Sequence, residues 1–465
     1  MFTRLNSRIL ILQFCIILSA CEGQSSISDS PEAAKPNIVL FYIDDLGWKD
    51  VGFNGSIYYE TPNIDAMAEA GVIFTDAYAN APNCAPSRAS LMTGLYPPRH
   101  KIYTVGSAAR GKEENRKMIP VENQVTLDLE YVTLAEGLQS AGYTTGHFGK
   151  WHLGDVGYFP ENQGFDVNAG GHHRGSPPGG HFSPYKNPTL SDGPEGEYLT
   201  DRLTDEALTF IEDAGAAPFF VYLTHYAVHT PIQGKESLVQ KYEEKSPDGG
   251  QQNATYAAMM ESVDESVGRV LEKIEALGKS DNTLVIFYAD NGGAIQATSN
   301  EPLRGYKGMM YEGGIRVPLA MKWPNQIPAG GIDNTPVIGL DLYPTFADLA
   351  GFELPAVQDG VSLQPLMRDT GSLEERNLYW HFPAYLEKAG PMTEPWRTTP
   401  VAGIRRGDYK LIEFFEDGRL ELYNLREDMS ETTNLADQQP EKVTELHDMM
   451  LAWRDMVGAD MPLFK

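Results

Sequence analysis

An Asp-Asp pair, an Asp-Asn pair and one cysteine are the residues of this chain best suited to chemistry. Asp44-Asp45 follows the apolar run NIVLFYI, and Asp290-Asn291 follows TLVIFYA. Carboxylates and an amide oxygen are hard donors of the kind Ca2+ or Mg2+ takes, and no Cys/His set suggests zinc. A cation there would also offset repulsion among the acidic groups. Asp and Asn are common turn residues, so one pair alone means little; two pairs, each closing a strand-like run, point to a site. Cys84 stands in NCAPSRASLMTG, with Pro86 and Arg88 close behind it. Pro86 fits the first turn of a helix that runs through SRASLM and stops at Gly94. The cysteine then lies at the helix's positive end, where an anion is favoured. A small buried hydrophobe is the plainer alternative; small or polar neighbours and the following cation oppose it.

The elements that would position these residues are legible. NIVLFYI (37–43), PFFVYLTH (218–225) and TLVIFYADNGG (283–293) read as buried parallel strands, and VPLAMKW begins another at Val317. TPNIDAMAEAG reads as a helix with Thr61 as N-cap, Pro62 at its first position and Gly71 just past its end. TLAEGLQSAG opens on a capping box of Thr133 and Glu136. Met260, Val263, Val267, Val270, Ile274 and Leu277 recur at helical spacing before Gly278. This alternation predicts an α/β fold, a doubly wound, mostly parallel sheet flanked by helices, spanning a catalytic domain at 37–370. Such sheets bind ligands outside the carboxyl ends of their strands, where both pairs lie. Beyond residue 370, GIRRGDYKLIEFFEDGRLELYNL (403–425) alternates and turns like an antiparallel sheet, and EKVTELHDMMLAWRDMV reads as a closing helix. Residues 371–465 are therefore expected to form a smaller C-terminal subdomain.

With 465 residues, 42% hydrophobic and 22% charged, the chain can bury a large core. Lys+Arg 37 against Asp+Glu 64 gives a net charge of −27, which argues against a nucleic-acid partner. An anionic substrate remains compatible if cations are concentrated in a pocket. At the N-terminus, Arg4 and Arg8 precede ILILQFCIIL and then LSAC, the pattern of a secretory signal over residues 1–20. LSAC resembles a bacterial lipoprotein box, with lipid attached to Cys21 and a polar tether over 21–36. The expected location is periplasmic or cell-surface, with the membrane met only through that anchor. Cys84 would then be alone in the exported chain, and no internal disulfide is possible.

Cys84-Ala85-Pro86-Ser87-Arg88 resembles the C-x-P-S-R signature of the type I sulfatases, within the alkaline phosphatase superfamily. In order around it stand Asp44-Asp45, GKWHLG at 149–154, HTP at 229–231, ADNGG at 289–293 and LRGYKGMMYEGGIRVP at 303–318. The resemblance covers about residues 36–425. It departs at YAVHTP, where many relatives carry a proline before the histidine, which sets His225 beside His229 as a candidate.

The resemblance implies that a formylglycine-generating enzyme oxidises Cys84 to formylglycine. It implies one Ca2+ held by Asp44, Asp45, Asp290 and Asn291, which also touches the modified residue 84. Arg88 and Lys150 would hold the hydrated formylglycine, His152 would be the base that expels sulfate, and Lys307 and His229 would grip the sulfate and the bridging oxygen. Metal, Lys and Arg suit charge spreading over three sulfate oxygens. A geminal diol suits the nucleophile, since one hydroxyl attacks sulfur and deprotonation of the other releases sulfate.

The reaction is better constrained than the substrate. GGHHRGSPPGGHF is expected to line the pocket mouth, with His172, His173 and Arg174 near a sugar or second anion. Trp380-His381 and Trp396-Arg397 pair aromatic faces with polar tips, as sugar-stacking sites do. Export and acidity fit an enzyme that removes sulfate from a sulfated carbohydrate, a polysaccharide or its oligosaccharides. The alternatives are a phosphatase or phosphonate monoester hydrolase on the same scaffold, and a non-catalytic glycan-binding lipoprotein with Cys84 unmodified.

Overall fold

NIVLFYI folds as the central strand β1 (Asn37–Ile43), buried along its whole length. It pairs with a parallel neighbour along each edge, and because both of its faces are buried the side chains on both are apolar. The computed structural model describes residues 35–465. The expected signal, the expected lipidation site Cys21 and nearly all of the expected tether lie outside the described residues.

The other strands of the main sheet are β2 (Val72–Phe74), β3 (Thr144–Gly149), β4 (Val167–Ala169), β5 (Phe219–Thr224), β6 (Thr283–Ala289), β7 (Leu319–Lys322) and β8 (Gly331–Asp333). Their order across the sheet is β8-β2-β7-β6-β1-β5-β3-β4. The stretch from β6 to β4 is parallel. β7 starts at Leu319, two residues later than expected, and runs antiparallel to β6 and β2, so the sheet is mixed.

The helices relevant to the site are α1 (Pro62–Glu69), α2 (Cys84–Thr93), α3 (Leu134–Ser140), α4 (Leu199–Asp213) and α5 (Ala254–Ala276). The capping box at Thr133 and Glu136 opens α3 as expected. At α1, Pro62 takes the first position, but Thr61 makes no side-chain cap. Asp264 of α5 supplies it instead, accepting from Ile64 N at 2.8 Å and Asn63 Nδ2 at 2.7 Å. Thr61 Oγ1 is engaged elsewhere, by Gly52 N and Asp65.

The C-terminal segment forms an antiparallel meander of β9 (Asn377–Phe382), β10 (Val401–Arg406), β11 (Tyr409–Phe414) and β12 (Arg419–Asn424). On one face Leu446 and Met450 of α6 (Pro440–Val457) pack with Ile404, Leu411 and Leu422. On the other, Leu378, Trp380 and Phe382 share a core with Tyr78, Met310 and Ile315. Lys410 of β11 is fully buried between Glu312 at 2.8 Å and Glu431 at 2.9 Å, a charged clasp between the meander and the first part of the chain. Among the described residues no helix is long and apolar enough to cross a membrane.

Candidate active site

Adjacent parallel strands end at one rim. β1 and β6 are in register through Ile43 and Ala289, which sets Asp44 beside Asp290, whose N–H donates to Ile43 O at 3.1 Å. β3 and β5 end in register at Gly149 and Thr224, bringing Lys150 to the same rim. α2 begins at Cys84, with the Asn83 side chain accepting from Cys84 N at 3.0 Å, and ends at Gly94, whose φ of 68° suits glycine. Arg88 lies one turn after Cys84, on the same helix face.

These placements bring chain segments far apart in sequence into one cluster. Cys84 Sγ lies 3.6 Å from Asp44 Oδ1, 3.8 Å from Asp45 Oδ1 and 3.0 Å from Lys307 Nζ. Lys307 also meets Asp45 Oδ1 at 2.5 Å, and Lys150 meets Asp44 Oδ2 at 2.7 Å. Arg88 donates from Nε and Nη2 to Asp290 Oδ2 at 3.0 and 2.9 Å, and from Nη1 to Lys150 O at 2.8 Å. His229 Nε2 stands 3.7 Å from Asp45 Oδ2. Carboxylates and cations thus alternate in a largely buried cluster, where each charge depends on the others.

Protonation follows from this arrangement. Burial pushes the Cys84 thiol up to about 12, against the opposing fields of Lys150 and Lys307. As encoded it is a protonated thiol at neutral pH, not a thiolate nucleophile. Burial raises Asp290 to about 6, helped by the Asp44 carboxylate. Asp45 is buried too, which works upward, yet Lys307 holds its carboxyl well below the usual range. Burial lowers His229 to about 4 and holds His152 far below the ordinary imidazole value, with the Lys150 charge adding to the effect. Both rings are therefore neutral at neutral pH.

The donors suit a hard cation. Asp44, Asp45, Cys84 and His229 offer ligand atoms all within 4.8 Å of one another. Asn291 Nδ2 donates to Asp45 Oδ1 at 2.9 Å, while its Oδ1 is buried with no partner. An orphaned amide oxygen beside carboxylates fits an oxygen-coordinated ion such as Ca2+. Asp290 is more committed, with one oxygen on Arg88 and the other accepting from Asp45 N at 3.1 Å.

A cavity of about 340 Å³ opens over this cluster, lined by Asp45, Cys84, His152, His229 and Lys307 among others. Arg88, Lys150, Asp44 and Asp290 are buried and do not line it. His225 does not line it either: its Nε2 bonds Ser266 Oγ at 2.9 Å in the interior.

Of the expected substrate contacts, the His172–His173–Arg174 group and the Trp380-His381 pair lie away from this cavity. His172, His173 and Arg174 do not line the cavity; Gly175 and Ser176 of the same loop do. His172 is buried and accepts the His152 N–H on its carbonyl at 3.0 Å, while His173 turns toward Asp155 at 3.3 Å. The loop holds His152 in place: a Cβ on Gly175 would stand 2.3 Å from His152 Cε1. Trp380 and His381 are buried, one donating to Ala79 O and the other bonded to Asp460 O. They belong to the core because β9 is covered on both faces. Arg397 does line the cavity. So do Arg110 and Gln296, which the sequence did not single out; both stand in irregular segments with no periodicity or motif to mark them.

The sulfatase family model matches residues 36–352, and the model described as N-sulphoglucosamine sulphohydrolase, C-terminal, matches residues 305–455. A sulfatase of Formosa agariphila is 35% identical over 90% of this chain and 88% of its own. The N-acetylgalactosamine-6-sulfatase of Mus musculus is 34% identical over 79% of this chain and 72% of its own. The crystal structure of Ps i-CgsB in complex with k-i-k-neocarrahexaose superposes with a TM-score of 0.75 at 32% identity, covering 90% of this chain and 93% of that one.

Proposed function

From the premise that the chain belongs to the sulfatase family, and is an enzyme that hydrolyses sulfate esters, we propose that it removes sulfate from a sulfated carbohydrate at the cavity above Cys84. The observation that carries this is the position of Cys84 Sγ, with Lys307 at 3.0 Å and two carboxylates within 3.8 Å. The relatives point the same way, since one acts on N-acetylgalactosamine 6-sulfate by name and another was crystallised with a neocarrahexaose. Cys84 is read as the precursor of formylglycine, made by a formylglycine-generating enzyme; its high thiol pKa makes the unmodified residue a poor nucleophile. Formylglycine at residue 84 would supply, as its hydrate, one hydroxyl as nucleophile and a second for release of sulfate, and a Ca2+ that Asp44, Asp45, Asp290 and Asn291 would hold would supply positive charge.

The chain's own side chains do the rest. Lys307 and His229 approach the cavity beside Asp45, where they grip sulfate and the bridging oxygen, and Lys307, the charged one of the two at neutral pH, can protonate the departing alcohol. Neutral His152 faces the same cavity as a base. Arg88 and Lys150 act from beneath, their charges set by Asp290 and Asp44, and offset negative charge at residue 84. Export, and anchoring by lipid at Cys21, complete the proposal and rest on the N-terminal sequence.

The test is twofold. Mass spectrometry of the peptide spanning residue 84, after co-expression with the maturing enzyme, is expected to show formylglycine. Turnover of an aryl sulfate is expected to exceed that of the matched aryl phosphate. Intact thiol throughout would favour a glycan-binding role, and a strong phosphate preference would favour a phosphatase.

A further inference from the structure

The reaction just described leaves two cations of the cavity without a task. Arg110 and Arg397 line it together with Lys307, His229 and Cys84. The Arg110 guanidinium donates to the Val105 carbonyl, and Arg397 Nη1 to the Lys307 carbonyl at 3.3 Å. Arg397 Nε is buried and has no hydrogen-bond partner. Among the described residues neither arginine forms an ion pair; Glu387 acts on Arg110 only from farther away.

The cost of this arrangement is visible. Burial works against the charge on both arginines; at Arg397 the field of the Asp45 carboxylate offsets part of this, and Arg110 adds to it. Guanidinium groups stay ionised in proteins, so the free cavity keeps two partly desolvated like charges with no carboxylate in direct contact. The fold nevertheless holds them there. Arg397 sits in a short hairpin whose Trp396 ring packs on Tyr385 with centroids 4.8 Å apart. In a chain of net charge −27, this concentration of positive charge is local to the cavity. A sulfate ester brings one negative charge, and Lys307 and His229 already meet it.

We propose that Arg110 and Arg397 form a second anion subsite, so that the substrate carries a further anionic group, a sulfate ester or a carboxylate, near the sulfate that is removed. This rests on the sulfate-ester reading of the same cavity and adds the class of glycan: one with two anionic groups within a space of about 340 Å³. Arg suits the task because its planar fork pairs two oxygens of a sulfate or carboxylate at once.

Binding by the calcium-loaded Cys84→Ala protein tests it by calorimetry, with no turnover needed. The probes are phenyl sulfate, 3-carboxyphenyl sulfate and benzene-1,3-diyl disulfate. The second anion is expected to raise affinity about ten-fold, the scale of one good charge pair. Comparing the carboxylate and sulfate probes identifies the preferred group. Arg110→Gln and Arg397→Gln should each remove most of that gain, and Arg397→Lys should restore part of it. Equal affinity for one- and two-anion probes, or a gain that survives in the double Gln variant, overturns the subsite alone. Failure of phenyl sulfate to bind, with no aryl sulfate turnover by the matured enzyme, overturns the subsite together with the sulfate reading.

Discussion

Lys307 Nζ stands 3.0 Å from Cys84 Sγ, although 223 residues of chain separate them, and the same ammonium meets Asp45 at 2.5 Å. The contact joins the family's cysteine to a cation whose charge the Asp45 carboxylate secures. Lys307→Met keeps the stem and removes the charge. Its kcat/KM for an aryl sulfate should fall about 10²- to 10³-fold, the scale for one group stabilising developing charge. An unchanged rate in the matured enzyme would take Lys307 out of the machinery.

Gly175 is expected to matter through its neighbour. A methyl group there would enter the His152 ring, so Gly175→Ala must turn that ring or shift the loop. Because small misplacements of a catalytic group are costly, kcat should drop about 10²-fold. Thermal midpoint measurements should show a much smaller effect than loss of a core residue; a fully active variant would show that the ring position is not critical.

Removal of calcium by a chelator should abolish turnover and lower the melting temperature. Binding to the native state alone adds stability that grows with free ion, about 2.7 kcal/mol at a hundred times the dissociation constant. Calcium should restore both readouts. Asp45→Asn should weaken that response, as seen in the calcium dependence of the melting curve.

Asp264 gives a pH effect of defined sign. Its carboxyl is raised from 3.8 to about 6, chiefly by burial, even though Ile64 and Asn63 donate to it. The native state therefore binds this proton more tightly than the unfolded chain does. Its contribution to stability is greatest below the unfolded value and declines as pH rises to about 6. Asp264→Asn should flatten urea-measured stability across that window, while Asp264→Ala should cost about 1–2 kcal/mol through the lost cap. A slope unchanged by Asp264→Asn would assign the effect elsewhere.

Lys410→Met tests the clasp beneath the meander. Removing the cation leaves Glu312 and Glu431 buried against each other, and breaking a buried ion pair from one side costs about 3–5 kcal/mol. The denaturation midpoint should move accordingly. A neutral result would mean that one carboxyl takes up a proton at little cost, which burial and Glu312 already favour at Glu431, pushed up to about 7.

Local features were readable from sequence because they depend on neighbours within a few residues. The buried run at β1, the start of α2 beside Cys84 with its stop at Gly94, and the Thr133–Glu136 capping box each follow from short-range sterics and hydrogen bonding. The ordered motifs were enough to indicate the family. What lay beyond the chain's own text is whatever requires a neighbour distant in sequence. Thr61 looked like the cap of α1, yet Asp264 accepts from the free Ile64 N–H instead. Trp380 and His381 looked like a sugar platform, yet packing on both faces of β9 buries them. Arg110 carries no motif and Arg397 only an aromatic neighbour, Trp396; the folding of one loop and one hairpin over the sheet's rim brings both into the cavity. Burial and charge proximity are properties of space, and the three-dimensional fold alone decides them.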